Sequence, residues 1–459
     1  MITIDHIRRT ALGLGALAAL IAGPACAQQP ARLDRGAQQQ VVDSVAAVLR
    51  ARYVDEDAAA RVGARLRERL AAGAYAADTL PAAFAGALTR DMYAVSQDLH
   101  MRLNYEPTRE FTLTASGAQG RAPGGGSGGA VRTARIDPRD SATIARANFG
   151  YERVERLSGN VGYLKLNEFQ PLDYARETAA AAMRLLAGTD AVIIDLRDNY
   201  GGSPDHVRLL LSYFFGADSV RLWATGNPRL GIRNEYWSVA ELPGPRMAGA
   251  DLYVLTSGRT ASSAETFSYV ARQTGRGTVL GERTAGAGIG GARLSVGHGL
   301  ALFVPQFQVL TGPGFERGGV APDVALPEDD APAAAHEMAL RRLAERGGSP
   351  TVQREREWAL QALATRSQPA PSAAQLERYT GAFGTRRVRV QDGGLVMLSA
   401  NGYETRLAPA GEHVFRADDL TRVRFETDAA GRATALVVEQ ADGRSARAER
   451  VAEGGTAVR

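Results

Sequence analysis

Three short runs of almost purely apolar residues constrain this chain more than any other feature. They are Ala191-Val-Ile-Ile194, Asp251-Leu-Tyr-Val-Leu-Thr256 and Thr278-Val-Leu280. Strands that alternate apolar and polar residues face water on one side; continuous runs like these fit strands covered on both faces. A helical pattern precedes the first run, at Tyr174 to Leu186, and another separates the last two, at about Ala261 to Arg272. Val161-Gly-Tyr-Leu-Lys-Leu166 adds a further strand, and strands are expected again from Leu294 to Val309. This order predicts an α/β core.

The flanks read differently. Val41/Val42, Val45, Val48/Leu49 and Tyr53 share one helical face, and Val62, Leu66 and Leu70 another, with Gly73 as a stop. A third helix, capped by Thr79 with Pro81 in its first turn, carries Phe84, Leu88, Met92, Val95 and Leu99 and ends at His100. Residues 34–110 are therefore expected to form a helical subdomain. A glycine-rich linker (111–136) separates it from a core over 137–330. Residues 331–365 read as a helical connector. Over 372–455 a small all-β module is expected, with hairpin turns at Asp392-Gly393-Gly394, Asn401-Gly402 and Asp442-Gly443. At the start, Arg8-Arg9, the apolar run Ala11 to Ala22 and Ala25-Cys26-Ala27 form the pattern of a secretory signal peptide over 1–27. That pattern predicts a periplasmic or secreted protein with no integral membrane span once the leader is removed.

Composition narrows the chemistry. Lysine and arginine total 54, yet only one is lysine, Lys165. A Schiff-base enzyme or a Ser–Lys protease would have to use it. The single cysteine, Cys26, excludes a disulfide framework and a cysteine metal cluster. No HxxxH or HxH spacing occurs among the six histidines, so neither a metal nor a cofactor is expected. With 50 acidic residues against the 54 basic ones and no basic run with interleaved aromatics, no nucleic-acid partner is expected.

Several residues sit where chemistry is feasible. Ser262 follows a buried strand and opens a helix, so its hydroxyl lies at the positive end of the helix dipole. Backbone N–H groups at that end can hold a developing oxyanion. The same Ser262-x-x-Glu265 is also a capping box, which needs no catalysis. Asp195-Leu-Arg-Asp-Asn-Tyr-Gly-Gly202 follows another buried strand, and its two glycines permit close backbone approach. Locally it also reads as a plain strand-to-helix turn. His100 follows Asp98. Gly286-Ala-Gly-Ile-Gly-Gly291 matches GxGxxG, but a strand pattern follows it where a dinucleotide loop must open a helix. Glu316 sits in a polar turn before Gly319-Val-Ala-Pro-Asp323.

In order, these segments resemble the S41 family of serine peptidases. Ser96-Gln-Asp-Leu-His100, Asn148-Phe-Gly-Tyr151, Gly162-Tyr-Leu-Lys-Leu166 and Ile194-Asp-Leu-Arg-Asp-Asn199 carry the likeness, with Ser257 to Glu265, Val279 to Gly286 and Gly319 to Asp323. The resemblance covers about residues 38–327. It implies a crotonase-like (ClpP/crotonase) superhelical core, and the retinoid-binding-protein-type branch that lacks a PDZ domain. It aligns the nucleophile with Ser262. Ala287 stands where the processing-protease branch keeps its lysine base, so the base and its orienting acid align instead with His100 and Glu316, as in the tricorn-like branch. The oxyanion donors would be the N–H groups of Ser263 and of Gly201 or Gly202. A serine-type peptidase acting on peptides or proteins through a Ser-His-Glu triad and an acyl-enzyme is implied. The alternatives are a carrier for a hydrophobic ligand such as a retinoid or lipid, and a serine esterase.

Overall fold

A computed structural model describes residues 32–107, 138–312, 314–315, 318–365 and 370–451. The expected leader, with Cys26, and the expected linker lie outside these residues. So does Glu316.

Three helices, Arg35–Arg52, Glu56–Ala71 and Pro81–Ser96, open the described chain. Their apolar faces meet in one core that includes Val41, Leu49, Leu66, Phe84 and Met92. The Asp34 and Asp55 side chains cap the first two helices, and Gly73 leaves the second in the left-handed conformation (φ 73°). The third helix begins otherwise than expected. Its N-cap is Leu80, which has no capping side chain. The Thr79 hydroxyl instead accepts a 2.6 Å bond from Arg32. The helix also stops early, at Ser96, because Gln97 turns left-handed (φ 55°). His100 therefore sits past the helix, in the turn before the strand Arg102–Tyr105.

That strand pairs antiparallel with Leu300–Val309, which continues to pair with Arg221–Asn227, followed by Ile232–Trp237. The two strands between 221 and 237 escaped sequence reading, because their polar and apolar residues mix.

The second sheet has the parallel core that the apolar runs predict. Val161–Leu166, Ala191–Asp195, Asp251–Thr256, Gly277–Gly281 and Val324–Ala325 lie parallel in that order, with Tyr151–Leu157 antiparallel at one edge. Alternate side chains face opposite layers. Leu164, Ile194, Val254 and Val279 pack under the helices Leu172–Leu186, Pro204–Ser212 and Ser263–Gln273. Tyr163, Ile193, Tyr253 and Leu280 pack against Ala331–Glu345 and its neighbour. The expected helical connector over 331–365 consists of two helices, Ala331–Glu345 and Pro350–Thr365. Gly347 and Gly348 take positive φ (75° and 151°) between them, and Pro350 starts the second.

Eight antiparallel strands follow, from Gly381–Phe383 to Ser445–Glu449, each paired with the next. The first and last also meet, through Gly384 N–H to Glu449 O (3.1 Å) and Val451 N–H to Ala382 O (2.8 Å), so the sheet closes into a barrel. Its interior is filled by Phe383, Leu395, Phe415, Phe425 and Leu436 among others.

Candidate active site

Open parallel sheets place functional loops beyond the carboxyl ends of their strands. Two such loops meet here. The strand Ala191–Asp195 runs into residues 196–203, and its neighbour Asp251–Thr256 runs into residues 257–262. Ala261 N–H donates to Asn199 O (3.0 Å), and Thr260 Oγ1 donates to Leu196 O (2.8 Å). The Asn199 side chain is fully buried; it donates to Leu166 O and accepts from Gly201 N–H, both at 2.8 Å. These bonds clamp one loop against the other.

The contact is close enough to require glycine. A Cβ on Gly201, whose φ is 104°, would lie 2.7 Å from Ser262 Cβ and 3.0 Å from Ser263 N. A Cβ on Gly202 would lie 2.2 Å from Phe169 O. The structure therefore brings Ser262, Ser263, Gly201 and Gly202 together. The two glycines differ in what their N–H groups do. Gly201 spends its own on Asn199, whereas those of Gly202 and Ser263 make no hydrogen bond among the described residues.

Ser262 itself has φ 56° and ψ −121°. An ordinary N-cap residue is extended. This conformation is one that L-residues rarely enter, and holding it costs about 1–3 kcal/mol. A capping box relates Ser262 and Glu265, as the spacing suggests, but a capping role alone gives no reason for the strained backbone. Glu265 holds it in place. Its carboxylate is fully buried and accepts four bonds: from Ser262 N–H (2.8 Å), Thr284 Oγ1 (2.6 Å), Gly286 N–H (2.7 Å) and Ala287 N–H (2.8 Å). Burial pushes the Glu265 carboxyl upward, and these donors oppose that shift. Sequence reading saw only the capping contact, because the other three donors come from a distant loop.

Ala287, where a lysine base is absent, is buried beside this carboxylate. Lys165 is elsewhere, held at 3.1 Å by both Glu152 and Asp198.

His100 approaches from the other sheet. Its ring stacks on Phe303 at 5.5 Å between centroids. A Cβ on Gly291 would lie 2.8 Å from the same Phe303 ring. Only the stretch from Ala287 to Gly291, at most about 14 Å long, separates that point from the Glu265 cradle. No hydrogen bond joins the His100 ring to Ser262, and the buried Nδ1 of His100 has no partner among the described residues. Burial lowers the His100 pKa; Asp98 acts against that, and Arg102 acts with it. Among the described residues no cluster of side chains could hold a metal ion.

Residues 160–326 match the profile of peptidase family S41. That stretch contains Ser262, Ser263, Gly201, Gly202 and Glu316, but not His100. A carboxyl-terminal-processing protease from Picosynechococcus is 28% identical over 208 residues, which is 43% of this chain and 46% of that protein. One from Synechocystis is 31% identical over 173 residues (37% and 38%), and the tricorn protease of Thermoplasma volcanium is 27% identical over 179 residues (38% and 16%). The chain thus spans less than half the length of these relatives. Among solved structures, the photosystem II D1 C-terminal processing protease aligns over 64% of this chain and 93% of its own, with TM-score 0.41 and 21% identity.

Proposed function

We propose, from the membership of residues 160–326 in peptidase family S41, that this chain is a serine-type peptidase with Ser262 as its nucleophile. The observation that carries the reading is the strained Ser262 backbone beside two unspent N–H donors. The Ser262 hydroxyl attacks a peptide carbonyl while His100 takes its proton. Glu316 orients His100. The oxyanion of the tetrahedral intermediate rests on the N–H groups of Ser263 and Gly202, since Gly201 is engaged with Asn199. His100 then passes the proton to the leaving amine, and water releases the acyl group from Ser262. The absence of a Ser262–His100 bond fits a base that closes on its nucleophile once substrate is bound, because catalytic hydrogen bonds are often long in free enzymes.

We also assign the core to a crotonase-like superhelix, with residues 34–110 as a helical subdomain and 372–455 as a separate β module. The leader pattern of residues 1–27 supports a periplasmic or secreted location. Among the described residues no helix is long and apolar enough to cross a membrane.

A fluorophosphonate probe should label the purified protein at Ser262, and Ser262→Ala should abolish both labelling and peptide hydrolysis. Full, inhibitor-sensitive hydrolysis by Ser262→Ala would remove Ser262 from the mechanism.

A further inference from the structure

Asp98 is a buried acid with no cation among the described residues. Only 4% of its surface is exposed, and no basic side chain pairs with it among the described residues. Its carboxylate accepts the Tyr53 hydroxyl at 3.0 Å through Oδ2 and the His100 N–H at 2.9 Å through Oδ1. The Ser96 hydroxyl fixes the same turn by accepting the Asp98 N–H at 3.2 Å. Tyr53 is the C-cap of the first helix, so the carboxylate is locked between that helix end and its own turn.

A buried carboxylate without a countercharge is costly, and proteins normally pair it. The carboxylate holds the backbone of His100, two residues on, whose ring is able to become positive and feels the negative charge favourably. The remaining neighbours of the ring give little help. Phe303, from the facing strand, is uncharged. The Arg102 guanidinium, on the same segment, donates to Leu99 O at 2.7 Å and repels a protonated ring. Glu316, assigned above as the orienting acid, lies outside the described residues.

We propose that Asp98 is a positioning residue whose fixed, unpaired charge is answered when His100 takes up a proton, so that Asp98 sets the basicity of His100. This rests on the reading of His100 as the base. The geometry suits the task. The carboxylate bonds the backbone of His100 and not its ring, so it can act on the ring's charge without fixing the ring's orientation. Burial alone would leave the imidazole a poor proton acceptor; Asp98 offsets part of that loss.

The test follows the His100 ring directly by NMR in uniformly labelled full-length protein, which needs no catalysis. In Asp98→Asn, isosteric, with its Oδ1 accepting the His100 N–H and its Nδ2 donating to the Tyr53 hydroxyl oxygen in place of Oδ2, the His100 titration midpoint should fall by about one unit or more, a tenfold loss in proton affinity, because removing an opposite charge nearby shifts a pKa by about 1–3 units. Tyr53→Phe, which keeps the charge, should move it much less. Glu316→Gln, titrated alongside, separates the contribution of that acid. The acid limb of kcat/KM should move with the Asp98→Asn midpoint. If Asp98→Asn does not fold, Asp98→Ser reports the same quantity. An unchanged His100 midpoint in the folded variant, or equal shifts in Asp98→Asn and Tyr53→Phe, would overturn the proposal. Either result leaves the assignment of His100 as base standing, which is lost only if His100→Ala retains activity.

Discussion

At the scale of single residues, Glu265 shows what the sequence could and could not reveal. Its spacing from Ser262 announced a helix cap, and the structure has that cap. Nothing local announced that Thr284, Gly286 and Ala287 would turn three more donors onto the same carboxylate, because that is a long-range arrangement of backbone. The cradle ties the turn that bears Ser262 to the loop that follows the Gly277–Gly281 strand. Glu265→Gln presents an amide N–H₂ to part of this ring of donors and leaves buried groups facing each other without an acceptor. It should cost at least about 2 kcal/mol of stability in urea unfolding. Probe labelling of Ser262 should slow further than the same loss of stability elsewhere would explain. A stability change under 0.5 kcal/mol, within the ordinary range for surface changes, would mean that the cradle does not hold the turn (about that threshold). Lysine counting stands as well. Lys165 is neutralised by two carboxylates, Glu152 on the edge strand and Asp198 on the loop after Ala191–Asp195, so Lys165→Arg should keep substantial peptidase activity while His100→Ala abolishes it; kcat/KM of the two variants decides this.

At the scale of elements, legibility followed burial. The strands Ala191–Asp195 and Asp251–Thr256 are buried at every position, so each is visible as an unbroken apolar run. The strand Ile232–Trp237 alternates half-buried and exposed positions and carries Arg233, Asn234 and Glu235, so no run marks it. His206 is another product of packing that the sequence left blank. On the helix Pro204–Ser212, it is fully buried. Its Nδ1 donates to Gln170 O at 2.8 Å, so its Nε2 accepts from the Tyr151 hydroxyl at 2.7 Å. This neutral ring ties the Gly202 helix to the Phe169 loop and to the edge strand. Burial pushes its pKa down to about 4. The folded value is depressed, so the stability it contributes is complete above the unfolded pKa near 6.5 and is lost as pH falls toward 4. The loss over that window is about 3 kcal/mol. Unfolding free energies measured at intervals between pH 7 and pH 4 should fall more steeply in the native protein than in His206→Gln. Parallel curves would show that His206 does not carry this dependence.

At the scale of the whole molecule, the parallel sheet has two ends with different occupants. Ser262 and Gly202 lie beyond the carboxyl ends of its strands. The barrel docks toward the other end. The Ser158 hydroxyl, in the turn that enters the Val161–Leu166 strand, donates to Asp419 at 2.7 Å and accepts from Arg416 at 3.0 Å. Arg156 bridges Glu355 at 2.8 Å and Asp419 at 3.6 Å. A six-residue strand is about 20 Å long, so the barrel's docking seam is roughly that far from Ser262. A direct gate over Ser262 in the same chain does not fit this distance, and a role in stability or partner binding does. A further tie is Arg422. It is 6% exposed, lies 4.5 Å over the Trp358 ring, and donates to Gln361 Oε1 (2.6 Å) and Trp358 O (3.0 Å) on the helix Pro350–Thr365. Burial depresses its pKa to about 10, so it stays charged at neutral pH and its hydrogen bonds are charge-assisted. Arg422→Ala removes these bonds and the stacked guanidinium, at a cost of about 2–3 kcal/mol to the docking. Limited proteolysis between residues 365 and 381 should accelerate in that variant, while fluorophosphonate labelling of Ser262 stays within about twofold of the parent, since each kcal/mol reaching the site would change the rate about fivefold. If labelling collapsed together with docking, the barrel would be shaping the active site from the far end of the sheet, and its separation from the chemistry would have to be abandoned.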